Sequence, residues 1–142
     1  MAKADFAFSH TLRVRWSETD AQGVVFNARF LDYADIAVTE YYRAVGIRLN
    51  NPDVPLEFHV KHAALTWSKP IKPDELIDVF ARTVKAGITS ITKRVEIHGH
   101  GADDDLRCVV DLVSVHVDLA THRPMAVPEW LKTRLFEFDA TL

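Results

Sequence analysis

The chain has 142 residues, 48% of them apolar and 26% charged, the length of one domain and the composition of an ordinary soluble globular fold rather than a disordered chain. Seventeen Lys plus Arg against twenty Asp plus Glu give a formal charge of -3, which argues against a nucleic-acid binder that relies on a broad basic surface. No apolar run reaches the roughly 18 residues of a membrane span, MAKADFAFSH does not read as a secretory signal, and the lone Cys108 has no internal disulfide partner; a single domain, 1–142, in a reducing cytoplasmic compartment is expected.

Phe6 to Trp16 alternates. Phe8, His10, Leu12, Val14 and Trp16 fall on one side and Ser9, Thr11, Arg13 and Arg15 on the other, which predicts a half-buried strand. Ser17 to Gly23 then breaks the pattern with turn-forming residues. From Asn27, a suitable N-cap, the period changes, and Phe30, Leu31, Ala34, Ala37, Val38, Tyr41 and Val45 recur at three- and four-residue steps up to Gly46. Ala28, Tyr33, Ile36 and Tyr42 widen that stripe until only Asp32, Asp35, Thr39 and Arg43 are polar. A helix this apolar is expected to be largely enclosed. After a loop from Arg48 to Pro55, four β-type runs follow: Glu57 to Ser68, Glu75 to Ala86, Thr89 to His98 and Leu106 to Leu119. Their short connections favour antiparallel pairing. Glu129 to Phe138 reads as a closing helix entered at Pro128. The predicted class is α+β: a long central helix wrapped by an antiparallel sheet of five to six strands.

The segment Thr19-Asp20-Ala21-Gln22-Gly23-Val24-Val25-Phe26-Asn27 sets a carboxylate in a Gly-containing loop, seven residues before the helix N-cap. Amides of a first helical turn have no intrahelical partner and carry partial positive charge. A loop folded back on that helix lets Asp20 attack a carbonyl, or activate water to attack it, while the amides hold the developing oxyanion. Gly23 allows backbone to approach a ligand closely. The competing reading is a turn Asp making an Asx-type bond before an ordinary helix.

RVRWSETDAQGVVFNARFLDYADIA resembles the opening of the hotdog-fold thioesterases of the 4-hydroxybenzoyl-CoA thioesterase type, a group that includes the acyl-CoA thioesterases linked to the Tol-Pal system. Asp20, Gly23, Val24, Val25, Phe26, Asn27, Phe30 and Leu31 occupy the places of that pattern, and TWSKPIKPDELIDV resembles its second long strand, Pro-containing turn and next strand. The likeness runs from about Leu12 to Leu119. It implies a hotdog domain that hydrolyses acyl-CoA thioesters, with an aryl-CoA such as 4-hydroxybenzoyl-CoA among the candidates, and an acyl-carrier-protein thioester left open. Asp20 becomes the catalytic carboxylate, as nucleophile or general base. The Asn27 backbone N–H becomes the oxyanion donor, and Gly23, Val25 and Phe26 contact the substrate. No metal or redox cofactor is implied, coenzyme A being part of the substrate. A homodimer with joined sheets, or a dimer-of-dimers homotetramer, is expected, with active sites at the subunit boundary.

Two departures stand out. Glu18 occupies a place where many relatives have Asp, and the turn Ala86-Gly87-Ile88-Thr89 has Lys85 as its only adjacent cation. Contacts to coenzyme A phosphates therefore fall to Lys85, Lys93 or Arg94, each of which reads equally as a solvated sheet position. The alternative function is a non-catalytic protein that binds acyl-CoA or another apolar ligand.

Other constellations favour structure over chemistry. Ser114, His116 and Asp118 lie two apart on one strand and are expected on its polar face, opposite Val113, Val115, Val117 and Leu119, without the convergence of a triad. His98 and His100 with Asp103, Asp104 and Asp105 read as a solvated hairpin rather than a rigid metal site. His59 and His62 are expected on opposite strand faces. Tyr33, Tyr41, Tyr42, Phe26 and Trp67 fit the core better than an acyl pocket, and Cys108 fits a buried thiol.

Overall fold

The computed structural model describes residues Met1–Leu142. After a 3-10 turn at Lys3–Asp5, β1 (Phe8–Arg13) leads through a second 3-10 turn, Trp16–Glu18, to α1 (Arg29–Val45). Four strands follow, β2 (Phe58–Trp67), β3 (Leu76–Ala86), β4 (Ser90–Gly99) and β5 (Leu106–His116), and α2 (Glu129–Asp139) closes the chain. The strands form one antiparallel sheet in the order β1-β3-β4-β5-β2. This is the hotdog arrangement, with five strands. The core lies between the sheet's inner face and α1. Phe30, Tyr33, Ala34, Ala37, Tyr41 and Tyr42 of the helix meet Ile77, Val79, Ala81, Ile91, Val95, Ile97, Cys108, Val110 and Leu112. Gly46, at φ 90°, ends the helix in the left-handed region that glycine tolerates.

The structure revises several expectations. Asn27 does not cap the helix. Arg29 N–H bonds the Phe26 carbonyl at 2.9 Å, so the chain enters through a turn and Ala28 is already right-handed helical, with φ -65° and ψ -23°. An N-cap side chain works from an extended residue, and none caps α1. The helix is also less enclosed than its stripe suggests: Leu31 and Ile36 are exposed, because one five-stranded sheet covers only one side of the cylinder. β1 keeps the predicted phase but stops at Arg13, and Trp16 turns outward in the 3-10 segment.

In β5 the phase is opposite to that expected. Cys108, Val110, Leu112, Ser114 and His116 point inward, and Val109, Val113 and Val115 are only half-buried. With no irregularity between Cys108 and His116 in the pairing with β2 other than on β2 itself, alternation carries the inward phase through the two polar residues. β5 ends at His116, leaving Leu119 exposed. In β2 a register shift between Val60 and His62 inserts one extra residue, so His59 opposite Val115 and His62 opposite Val113 share the outer face.

Candidate active site

The segment before α1 folds as a tight hairpin. Asp20 N–H bonds the Val24 carbonyl at 2.9 Å, Gly23 N–H the Asp20 carbonyl at 3.0 Å, and Phe26 N–H the Glu18 carbonyl at 2.9 Å. Thr19 and Val25 form the bridge between its arms. Gly23 sits at the tip with φ 76°, where a side chain would be strained. The far arm is fastened to the body of the protein: Val25 is buried, and its N–H bonds the Ile71 carbonyl at 2.8 Å.

Asp20 is half-buried. Its Oδ1 accepts the Gln22 N–H at 2.8 Å, the Asx-type bond that a turn Asp would make. Its Oδ2 takes no bond from the protein, so the turn orients the carboxylate and leaves one oxygen open. Neither Asn27 nor Ala28 donates its backbone N–H to an acceptor in the protein, so two amides are unpaired where the hairpin runs into α1. Phe26 is half-exposed at the same place, and Trp67, also exposed, meets Phe30 of the first helical turn edge-to-face at 5.9 Å.

Glu18 has a structural part that its spacing in the sequence does not reveal. Its Oε1 accepts the Arg15 N–H at 2.7 Å and the Tyr33 hydroxyl at 3.0 Å, tying the near arm of the hairpin to α1. Burial and the Glu18 carboxylate push the Tyr33 phenol well above its ordinary pKa, so it remains a donor. Trp16, Glu18, Tyr33 and Ile36 line a cavity of about 600 Å³ beside this anchor. A signal for Tyr33 existed in the sequence, since a polar tip on an otherwise buried helix face needs a partner.

The structure thus gathers Asp20, Gly23, Val25, Phe26 and Asn27 in one hairpin and helix start. It does not bring the three cations to them within one chain. Ile71, which holds Val25, lies near the start of β3, whereas exposed Lys85 lies nine residues beyond Leu76 along that strand, about 30 Å at the usual rise. Arg94 is engaged by Glu96 at 3.0 Å and Asp111 at 3.8 Å. Lys93 is not a solvated position at all: it is buried on the inner face, with its ammonium 4.7 Å from the centre of the Tyr42 ring.

The remaining polar groups are dispersed. His98 pairs with Glu96 at 3.1 Å and His100 with Asp78 at 3.0 Å. Asp105 bonds Arg107 and Lys69, whose charges hold its carboxyl well below the usual range. His116 bonds the Ala126 carbonyl, and Asp118 caps a turn at the Ala120 N–H. Ser114, His116 and Asp118 therefore form no triad. Burial pushes the Cys108 thiol up to about 11, leaving it unreactive at neutral pH.

This fold has known counterparts. The Thioesterase-like superfamily pattern matches residues 14–135, and the chain belongs to that superfamily. It is 36% identical over 77 residues to the acyl-CoA thioesterase YbgC of Haemophilus influenzae, covering 53% of this chain and 57% of that protein. A putative esterase of Aquifex aeolicus is 32% identical over 73 residues, covering 51% of this chain and 57% of that protein. The chain thus spans somewhat over half the length of the curated relatives it matches. Among solved structures, a 1,4-dihydroxy-2-naphthoyl-CoA thioesterase from Synechocystis superposes with a TM-score of 0.82 at 19% identity, covering 93% of this chain and 97% of that one. A Thermus thermophilus thioesterase complexed with coenzyme A and Zn gives 0.81 at 22% identity, covering 97% and 98%. These two likenesses establish the fold.

Proposed function

We propose that the chain hydrolyses acyl-CoA thioesters to a free acid and coenzyme A, with Asp20 as the reacting carboxylate and the Asn27 amide as the oxyanion donor. The observation that carries this reading is the hairpin itself: a carboxylate with one oxygen fixed and one open, joined by a short arm to a helix start with unpaired amides. Superfamily membership and the named activity of the H. influenzae relative support it.

The chemistry needs little else. A thioester carbonyl placed at the helix start has its oxygen polarised by backbone N–H groups. Asp20 Oδ2 then attacks the carbonyl carbon, the C–S bond breaks, and the coenzyme A thiolate leaves; water hydrolyses the resulting anhydride and restores the carboxylate. Alternatively, Asp20 takes the proton of a water that attacks directly. Neither route requires a strong acid, because a thiolate is a good leaving group. Phe26 and Trp67 offer apolar surface for an acyl or aryl group at the same end of α1.

A second copy fits this reading. β2 is a sheet edge ten residues long, with Val60 and Trp67 exposed along it, and an open edge of that length is a template for pairing. A homodimer joined there, or a tetramer of two such dimers, would let a partner supply the phosphate contacts that one chain does not bring to its own hairpin. A cytoplasmic setting suits the single reduced thiol.

A panel of short, long and aryl acyl-CoAs, including 4-hydroxybenzoyl-CoA, tests the proposal by release of free thiol. Turnover of at least one class is expected. Saturable binding of a non-hydrolysable coenzyme A analogue without thiol release from any thioester would instead mark a binding protein.

A further inference from the structure

We propose that the cavity floored by Lys93 is a binding site for a small organic monocarboxylate with an apolar tail, separate from the Asp20 hairpin and independent of the thioesterase reading. Lys93 lies on the inner face of β4, opposite Thr83 of β3 and Leu112 of β5, and is 2% exposed. Its ammonium sits 4.7 Å from the Tyr42 ring centre and 5.8 Å from that of Phe58. It forms no hydrogen bond and no ion pair. The neighbouring buried acid, Asp139, spends Oδ2 on the Tyr41 hydroxyl at 2.8 Å and the Thr83 N–H at 3.0 Å; its Oδ1 is buried without a partner, and its charge acts on Lys93 without forming an ion pair.

Burying an ammonium without a directly paired anion is costly, and attraction to two ring faces and to the Asp139 charge offsets only part of the cost. Desolvation accordingly drives the Lys93 pKa down to about 7. An anion brought to Lys93 would complete this environment, and there is room for one. A cavity of about 260 Å³ reaches Lys93, walled by Val38, Leu56, Phe58 and Val60. Three hydroxyls belong to the same lining: Thr39 of α1, Ser114, turned inward by the phase of β5, and Tyr42, whose buried oxygen has no partner. One cation, three hydroxyls and apolar walls match a carboxylate on a short hydrocarbon or aryl group.

Charge narrows the ligand further. Asp35, which is exposed, and Glu57, which is half-buried, also line the cavity. They disfavour a second negative charge, so a dicarboxylate or a phosphate dianion fits worse than a monoanion. The volume lies below that of typical drug-sized sites, which start at about 300 Å³.

Calorimetric titration of the full chain with sodium hexanoate tests the proposal, with hexan-1-ol and inorganic phosphate as controls. Hexanoate is expected to bind saturably, and hexanol and phosphate about tenfold or more weakly, the factor that 1.4 kcal/mol represents. Lys93→Met should lose hexanoate binding by a similar factor while folding normally, since an apolar side chain of similar volume replaces a desolvated charge. Tyr42→Phe should weaken it several-fold, and Asp20→Asn should leave it unchanged. In wild-type protein carrying ¹³C-labelled lysine, hexanoate should shift the Lys93 Cε signal more than that of any other lysine, a readout that does not depend on a variant. No binding by the wild type, equal binding of hexanol, equal binding by Lys93→Met, or no Lys93 shift would each overturn the proposal. Trapping of an aldehyde on Lys93 by borohydride without carboxylate binding would also overturn it, replacing it with a carbonyl site.

Discussion

The two ends of α1 handle polar groups in opposite ways. At its start, Asp20 is held by a turn of its own chain, and the amides of Asn27 and Ala28 are unpaired. Towards its end, Tyr41 is fully buried, bonded to Thr83 at 2.9 Å and to Asp139 at 2.8 Å, and Tyr42 lies beneath the Lys93 ammonium. The start leaves its polar groups unsatisfied by protein, which a reaction can use. At the other end Tyr41, Thr83 and Asp139 bond one another in the core, where losing one leaves its partner stranded. The difference teaches where a substitution should be read: as turnover at the start, as stability in the bonded trio of Tyr41, Thr83 and Asp139.

Asp139→Ala presses hardest on the stability side. It strips the buried Thr83 N–H and the Tyr41 hydroxyl of an acceptor and should cost about 2–3 kcal/mol, read as a lowered urea midpoint. A cost close to zero would mean that the buried end is less dependent on its polar bonds than the comparison holds.

Lys93 gives a pH signature at the same end. Its pKa is about 7 in the fold and near its ordinary 10.5 when unfolded, so between these values the unfolded chain holds a proton that the native chain lacks. Stability therefore rises with pH through this window. Between pH 7 and 9 the wild type should gain about 2 kcal/mol relative to Lys93→Met, taking 1.36 kcal/mol per proton per pH unit. Parallel stability profiles for the two proteins would contradict the burial of a free ammonium.

At the helix start the stability effects should be smaller. Tyr33→Phe removes one bond to Glu18 and should cost about 1 kcal/mol. It should also lower turnover modestly by loosening the near arm of the hairpin, and a change in stability alone would make Tyr33 merely structural. Arg29→Ala breaks only a solvent-exposed pair with Asp32 at 3.2 Å. It should change stability by less than about 0.5 kcal/mol, measured by the same denaturation.

The start of α1 was the more legible end. A change of period after Phe26, turn residues from Ser17 to Gly23 and an apolar stripe up to Gly46 sufficed to place the hairpin, the helix and the carboxylate between them. Asn27 reads as a cap but is none, because residue type alone does not distinguish an extended N-cap from a turn leading into a helix. β5 was ambiguous for a different reason. Both of its faces carry valines, and Arg107 and Asp111, the residues that mark the outer face, precede the polar pair Ser114 and His116. β2 hid its phase in a bulge, which adds one residue without a change in composition. In the sequence Lys93 reads equally as a phosphate contact or a solvated position, because lysine is rarely buried; only the packing of Tyr42 and Phe58 around it reveals a buried cation.

Thiol release by Asp20→Asn, followed on the best acyl-CoA substrate beside the wild type, tests the proposed chemistry most directly. The substitution keeps an acceptor for the Gln22 N–H, so the melting temperature should hold while kcat falls by two or more orders of magnitude, about the 10²–10⁴-fold range of a positioned catalytic base. Undiminished turnover in a folded Asp20→Asn protein would contradict the account.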